Sequence, residues 1–330
     1  MQCGPHTETV KLAAALLTVY LVWGSTFLAI AVADRTLPPF LMLAGRFLVA
    51  GAALYWWARR RGAERPTARQ WGAAATVGAA LLVVDTGAVA WAEQRVASGV
   101  TALLVASVPL FIALLDRLCF GIRIAGNAAL GIAVGLGGVA MLVGSGSHLD
   151  PLGAVVILGA SFAWAAGSAY SRVAPLPEDT VLSASMQMLT AGAVLGVLGA
   201  AAGERFHAVS ASSLGALGFL VVFGSLLAFT AYGWLLRNAP SPLVSTYAYV
   251  NPAVAVGLGW LLIGEHIGPR EVLAGLVILS SVALLAIRHE RRVAPEPVAE
   301  ALAPYIRRQE AKRSEFRGAP RLSELPRMAA

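Results

Sequence analysis

Val134-Gly-Leu-Gly-Gly-Val-Ala-Met-Leu142 returns 143 residues later as Val277-Ile-Leu-Ser-Ser-Val-Ala-Leu-Leu285. Working outward, the register holds without a gap. Residues 214–285 fall on 71–142, which sets Trp91 on Trp234, Ser98 on Ser241, Pro109 on Pro252 and Gly121 on Gly264. Nearer the N-terminus the offset is 141, placing Trp23 on Trp164 and Leu48-Val-Ala-Gly51 on Leu189-Thr-Ala-Gly192. The chain is therefore read as two copies of one hydrophobic half, residues 12–143 and 152–287.

The stretches around these motifs are apolar throughout. Of the 330 residues, 58% are hydrophobic and 13% charged, and the mean hydropathy is +0.71. A soluble domain of this length needs more polar surface. The apolar blocks are continuous rather than alternating, which excludes a membrane β-barrel. The fold class is an all-α polytopic membrane protein. A bilayer core of roughly 30 Å takes about 20 residues of helix. Ten blocks qualify as spans: 12–33, 38–58, 71–92, 98–118, 125–143, 152–171, 180–202, 213–236, 243–263 and 271–287.

Orientation follows from the basic residues. With the N-terminus (1–11) in the cytoplasm, twenty of the 25 fall inside and four outside, with Arg46 left within a span. Both termini are then cytoplasmic. Five spans per half is an odd number, so the second copy enters the membrane from the opposite side and the repeat is inverted, an arrangement characteristic of secondary transporters. The two cysteines, Cys3 and Cys119, lack any metal or redox spacing. With only Lys11 and Lys312 against 23 arginines, the composition points to a high-GC, bacterial genome; the location expected for such a multi-pass chain is the plasma (inner) membrane. Residues 288–330 mix Arg, Glu, Pro and Ala without apolar period and read as a disordered basic cytoplasmic tail.

Two patterns are set aside. Ala31-Val32-Ala33 resembles a signal-peptidase site, but its apolar run is too long and repeats in the second half. Gly135-Leu-Gly-Gly-Val-Ala140 fits a dinucleotide pattern but has no preceding strand; Gly131 and Gly135 read instead as a close-packing face.

Several further stretches carry a resemblance: Trp23-Gly-Ser-Thr-Phe27, Gly45-Arg-Phe47, Ser98-Gly99 through Val108-Pro-Leu-Phe111, Trp164-Ala-Ala-Gly-Ser168, Tyr247-Ala-Tyr-Val-Asn-Pro252 and Gly264-Glu265. In this order the chain resembles the EamA type of the drug/metabolite transporter superfamily, and within it the YedA-like exporters. The resemblance implies secondary export of small metabolites or drugs. One departure is Gly121-Ile122, where an acidic residue often follows the glycine, as Glu265 does in the second half.

Ionisable groups at mid-membrane are costly and mark sites. The spans hold Arg46 and Asp85, placed at similar depth on neighbouring antiparallel helices. They read either as a site, Arg46 binding a substrate anion and Asp85 a proton or an amine, or as a structural ion pair. Their repeat equivalents, Gln187 and Ala228, carry no charge. Trp23 and Trp164 are repeat-related and near mid-span, suited to lining a cavity or to packing; Ser25 lies beside the first. Tyr247, Tyr249 and Asn251 precede Pro252, and Pro109 repeats that proline. Paired helix breaks in corresponding segments point to a transporter site, although a kink without ligand has the same signature. Tyr232 and Gln187 complete the candidates.

No H-E-x-x-H occurs and no lysine follows a P-loop glycine run, so no catalytic residue, metal or cofactor is expected, nor a nucleic acid. The expected partners are a small-molecule substrate, the lipid bilayer, a coupling ion such as the proton and, as a further option, a second copy of the chain. The leading reading is alternating-access secondary export. A facilitative uniporter or channel is the alternative, and a membrane enzyme on lipid-linked substrate the third.

Overall fold

The computed structural model describes residues 5–120, 126–143, 150–239, 241–244, 246–265 and 268–289. Gly121-Ile122, the side chain of Tyr249 and residues 290–330 of the tail lie outside the described part. Met1–Ala286 form one compact unit and Ile287–Ala330 another. The long apolar helices all belong to the first.

Every regular element among the described residues is helical. Among the described residues, seven helices are long and apolar enough to cross a membrane: α1 Val10–Ala33, α2 Pro39–Arg60, α3 Ala68–Glu93, α4 Ser98–Leu115, α5 Pro151–Ser171, α6 Thr180–Ala201 and α7 Ala211–Asn238. Shorter helices span Gly126–Val143, Tyr247–Ile263 and Pro269–His289. Large apolar side chains point out of the bundle, among them Leu118, Val197 and Trp260, each about 70% exposed. Such a surface belongs in lipid rather than water. The protein is a polytopic membrane protein.

Local chemistry sets the helix ends. Pro39 opens α2 at the position where a missing N–H does no harm. Gly62, at φ 89°, supplies the left-handed residue just past its end. Thr67 and Gln70 form a reciprocal capping box before α3. Asp150, Asp179 and Ser210 cap α5, α6 and α7 through their own side chains.

Contacts between loops fix which ends lie together. Arg95, just after α3, pairs with Asp150, just before α5, at 4.0 Å. Ser210, before α7, donates its backbone N–H to Thr36 Oγ1, after α1, at 3.1 Å. Glu204, after α6, accepts the N–H groups of Phe40 and Leu41 at the start of α2, at 3.1 and 2.8 Å. One end of the bundle thus gathers the C-termini of α1, α3 and α6 with the N-termini of α2, α5 and α7.

The most extensive helix pair is α2 with α6, and its contact is reciprocal. A Cβ on Gly51 would lie 3.0 Å from Leu189, and one on Gly192 would lie 2.9 Å from Leu48. The Leu-x-Ala-Gly repeat thus packs against its own copy, with small residues letting backbones approach. Gly135 serves the close packing expected of it, a Cβ there meeting Leu110 at 2.7 Å and Ser281 Oγ at 2.6 Å.

Among the described residues, three helices are π-coiled over part of their length: Val19–Trp23 in α1, Ala79–Thr86 in α3 and Leu220–Phe229 in α7. π-turns inside α-helices concentrate at functional sites. Here they carry Trp23, Asp85 and the Gly224-Ser225 pair. The prolines behave differently from a simple matched pair of kinks. Helix α4 is interrupted at Ala106-Ser107, and Pro109 opens the segment beyond the break. Pro252 lies within the Tyr247–Ile263 helix, and the turn there falls at Thr246, ahead of the proline.

Candidate functional site

The π-coiled stretches converge on a cavity of about 90 Å³, room for several water molecules. Its walls come from α1 to α4 (Thr26, Arg46, Asp85 and Val105 among them), and from α5, α7 and the Tyr247–Ile263 helix. Trp23, Trp164, Tyr247 and Asn251 line it too.

Arg46 and Asp85 are 5% and 7% exposed, so both polar groups are withdrawn from lipid and bulk water. They face the same cavity but do not form an ion pair. Arg46 instead donates from Nε to Ser225 Oγ on α7 at 2.8 Å, and its guanidinium lies 5.0 Å from the Phe47 ring centre. Arg46 Nη1 and Asp85 Oδ1 are buried without any hydrogen-bond partner. A structural ion pair between α2 and α3 would satisfy both atoms; this arrangement satisfies neither. Buried unpartnered charge is expensive, and each such atom in a native structure needs an explanation. A polar occupant of the cavity supplies one.

Trp23, Trp164 and Tyr247 line the cavity, and the ring of Tyr232 packs behind them, so four rings from four elements form one cluster. Trp23 and Trp164, matched by the sequence repeat, meet edge to face at 5.3 Å. Tyr232 lies 4.8 Å from Trp23 and 5.5 Å from Trp164, and Tyr247 lies 5.6 Å from Trp23 and 5.8 Å from Tyr232. Tyr232 is pinned through its hydroxyl, 3.1 Å from Ser168 Oγ. Trp23 Nε1 reaches the Gly224 carbonyl at 3.4 Å. Asn251, with its amide nitrogen turned towards acceptors, donates to the carbonyls of Tyr20 and Tyr247 at 3.0 and 3.2 Å. It thereby ties the proline-containing helix to the π-turn of α1.

Other expected residues fall elsewhere. Ser25 does not line the cavity; its hydroxyl donates to its own helix, at Val22 O, 2.7 Å away. Its neighbour Thr26 takes the lining position. Gln187 lines a second cavity, with Nε2 3.2 Å from Ser183 Oγ. Pro109 and Pro252 are buried. Ser225 and Gly224 went unrecognised as candidates because small residues in an apolar run carry no sequence signal of their own. Glu265 stood out only as part of a motif, and the structure gives its role. Gly264 turns the chain at φ 69°, and Glu265 accepts from Ser98 N, Ser98 Oγ and Gly99 N at 2.9, 2.9 and 3.2 Å. Two separate motifs, Ser98-Gly99 and Gly264-Glu265, are thus the two sides of one helix cap.

Just past the end of α1 lies the acid Asp34, its carboxyl buried. Burial, reinforced by Glu204, raises its carboxyl from 3.8 to about 8, and neither of its oxygens has a hydrogen-bond partner.

Comparison with known proteins gives the family. The EamA-like transporter family matches the chain twice, over residues 11–144 and 151–287. The chain belongs to that family. Over 284 residues it is 42% identical to the "Uncharacterized inner membrane transporter YedA" of Escherichia coli K12, covering 85% of this chain and 92% of that protein. It is 25% identical to the "Probable amino-acid metabolite efflux pump" of the same strain, covering 81% and 91%. With the "Probable terminal-alkyne amino-acid exporter" of Streptantibioticus cattleyicolor the identity is 27%, covering 86% and 96%. A crystal structure 20% identical shares the fold, with TM-score 0.63 over 85% of this chain and 98% of that one.

Proposed function

We propose that this EamA-like transporter is an alternating-access secondary exporter of small zwitterionic metabolites with an apolar or aromatic side group. The observation that carries the reading is the pair of unpartnered buried atoms, Arg46 Nη1 and Asp85 Oδ1, facing one aromatic-walled cavity. A carboxylate satisfies the guanidinium through charge-assisted hydrogen bonds, an ammonium satisfies Asp85, and the rings of Trp23, Trp164 and Tyr247 take the side group. The names of the two amino-acid exporters among its relatives support this class of substrate.

The architecture proposed is ten spans in two inverted halves, 12–143 and 152–287, with both termini cytoplasmic and the tail 288–330 on the same side. The double family match and the reciprocal Gly51–Leu189 and Gly192–Leu48 contacts support it. A symmetric contact of this kind is what a two-fold relation produces. Without a P-loop, the energy for export comes from a gradient.

The test is counterflow in proteoliposomes against a panel of amino acids and their derivatives, with and without a proton gradient. Saturable exchange is expected, falling at least tenfold in Arg46→Gln and in Asp85→Asn while both insert normally. Wild-type exchange in both variants, or flux that rises linearly without saturating, refutes it; the second outcome makes the protein a channel.

A further inference from the structure

The cavity around Arg46 has a counterpart at the other end of the bundle. A second cavity of about 410 Å³ opens between α3, α5, α6 and α7. Arg172 after α5, Thr180 at the start of α6 and Arg237 near the end of α7 line it. These ends lie opposite those gathered by the Arg95–Asp150, Thr36–Ser210 and Glu204–Phe40 contacts.

Four repeat pairs are divided between the two linings, while others, such as Trp23 with Trp164 and Leu82 with Ser225, both line the first cavity. Gln187 stands at the repeat position of Arg46, Ser171 at that of Ile30, Tyr232 at that of Val89 and Leu81 at that of Gly224. In each pair one residue lines one cavity and its counterpart lines the other. The cavities meet at Phe229, which lines both. Tyr232 of the second stacks on Trp23 and Trp164 of the first.

We infer that the second cavity is a second binding station for the same substrate, with Gln187 receiving the carboxylate that Arg46 holds in the first. The inference rests on the reading of Arg46 as the anion-binding group. At the rim Arg237 is committed to the carbonyls of Pro177 and Glu178. Glu178 brings an opposing charge, and Asp179 caps α6 beside it. Deeper in, Gln187 is 7% exposed and Ser183 is 3% exposed, and together they offer an amide and a hydroxyl. A neutral amide can donate to a carboxylate, but without the charge and the two-pronged fork of a guanidinium. At this repeat position the first cavity presents an arginine and the second a glutamine, so the tighter hold on the carboxylate is at the first.

The test uses full-length protein with Cys3 and Cys119 replaced by serine, carrying either Thr26→Cys for the first cavity or Ser183→Cys for the second. A membrane-impermeant, charged methanethiosulfonate is applied from each side, with L-phenylalanine or its decarboxylated analogue phenethylamine as protectant. Labelling of the two cysteines from opposite sides is expected, and protection of both by phenylalanine. Phenethylamine, which lacks the carboxylate, should protect Ser183→Cys poorly. Gln187→Arg should lower the half-protecting phenylalanine concentration at Ser183→Cys about tenfold. Gln187→Leu should abolish that protection and leave Thr26→Cys protected. Labelling of both from one side, no labelling at Ser183→Cys, or unchanged protection in Gln187→Leu overturns the inference. Protection at Thr26→Cys alone overturns it while sparing the proposed function. Protection at neither cysteine overturns both.

Discussion

Gly224→Ala is the substitution that asks most of the site. A methyl group there would lie 2.8 Å from Arg46 Nη2, 3.2 Å from Thr26 Cγ2 and 3.6 Å from Arg46 Cζ. The first distance is below what carbon and nitrogen tolerate. The guanidinium is the far end of a flexible side chain, so it moves while the α7 backbone stays. The 2.8 Å bond from Arg46 Nε to Ser225 Oγ is then lost. A hydrogen bond to a charged group contributes about 1.5–3 kcal/mol, which corresponds to roughly 10–100-fold in affinity. Substrate KM in proteoliposome counterflow should therefore rise by up to about that factor, and thermal stability in detergent should fall by the part of that free energy that the fold itself loses. Ser225→Ala removes the same bond from its other partner and should give a similar loss. The double variant should be no worse than either single one, because both delete one interaction. A wild-type KM in Gly224→Ala, or additive losses in the double variant, refutes the claim that this glycine–serine pair positions Arg46.

Three further outcomes concern the rest of the bundle. Glu265→Ala leaves the N-terminus of α4 without the acceptor of three hydrogen bonds; by analogy with cap deletions it should lose about 1–2 kcal/mol of stability, read as a lower melting temperature that Glu265→Asp partly restores. Gly51→Val forces a side chain into Leu189 and Met188, 3.0 and 3.1 Å from its Cβ; overpacking of this kind typically destabilises by about 1–3 kcal/mol, and Gly192→Val should match it, whereas Gly45→Val, with open space around it, should be tolerated. Asp34 binds its proton more tightly folded than unfolded, its carboxyl rising from 3.8 to about 8. Its contribution is fully present below pH 3.8, declines as pH rises towards 8 and is flat beyond. Asp34→Asn should flatten the pH dependence of the melting temperature across that window; an unchanged slope would show that Asp34 is ionised in the folded protein.

The sequence by itself determined the all-helical membrane class, the duplicated halves and the family. It also picked out Arg46, Asp85, Trp23, Trp164, Tyr247 and Asn251, which the structure brings to one cavity. These are properties of contiguous residues. Hydropathy over about 20 residues sets whether a segment enters a bilayer, and a charge inside such a segment is conspicuous because lipid penalises it. What a buried side chain faces is set by the rotation and coiling of whole helices, which hydropathy does not encode. Only the tertiary structure decided that Arg46 reaches Ser225, 179 residues away, rather than Asp85. It also turned Ser25 onto its own backbone, sent Gln187 to a different cavity from its repeat partner and joined Ser98-Gly99 to Glu265. The π-turns are the physical reason for much of this. Each widens the helix locally and shifts the face presented by the residues beyond it, so Trp23, Asp85 and Ser225 arrive at one point from three separate apolar runs.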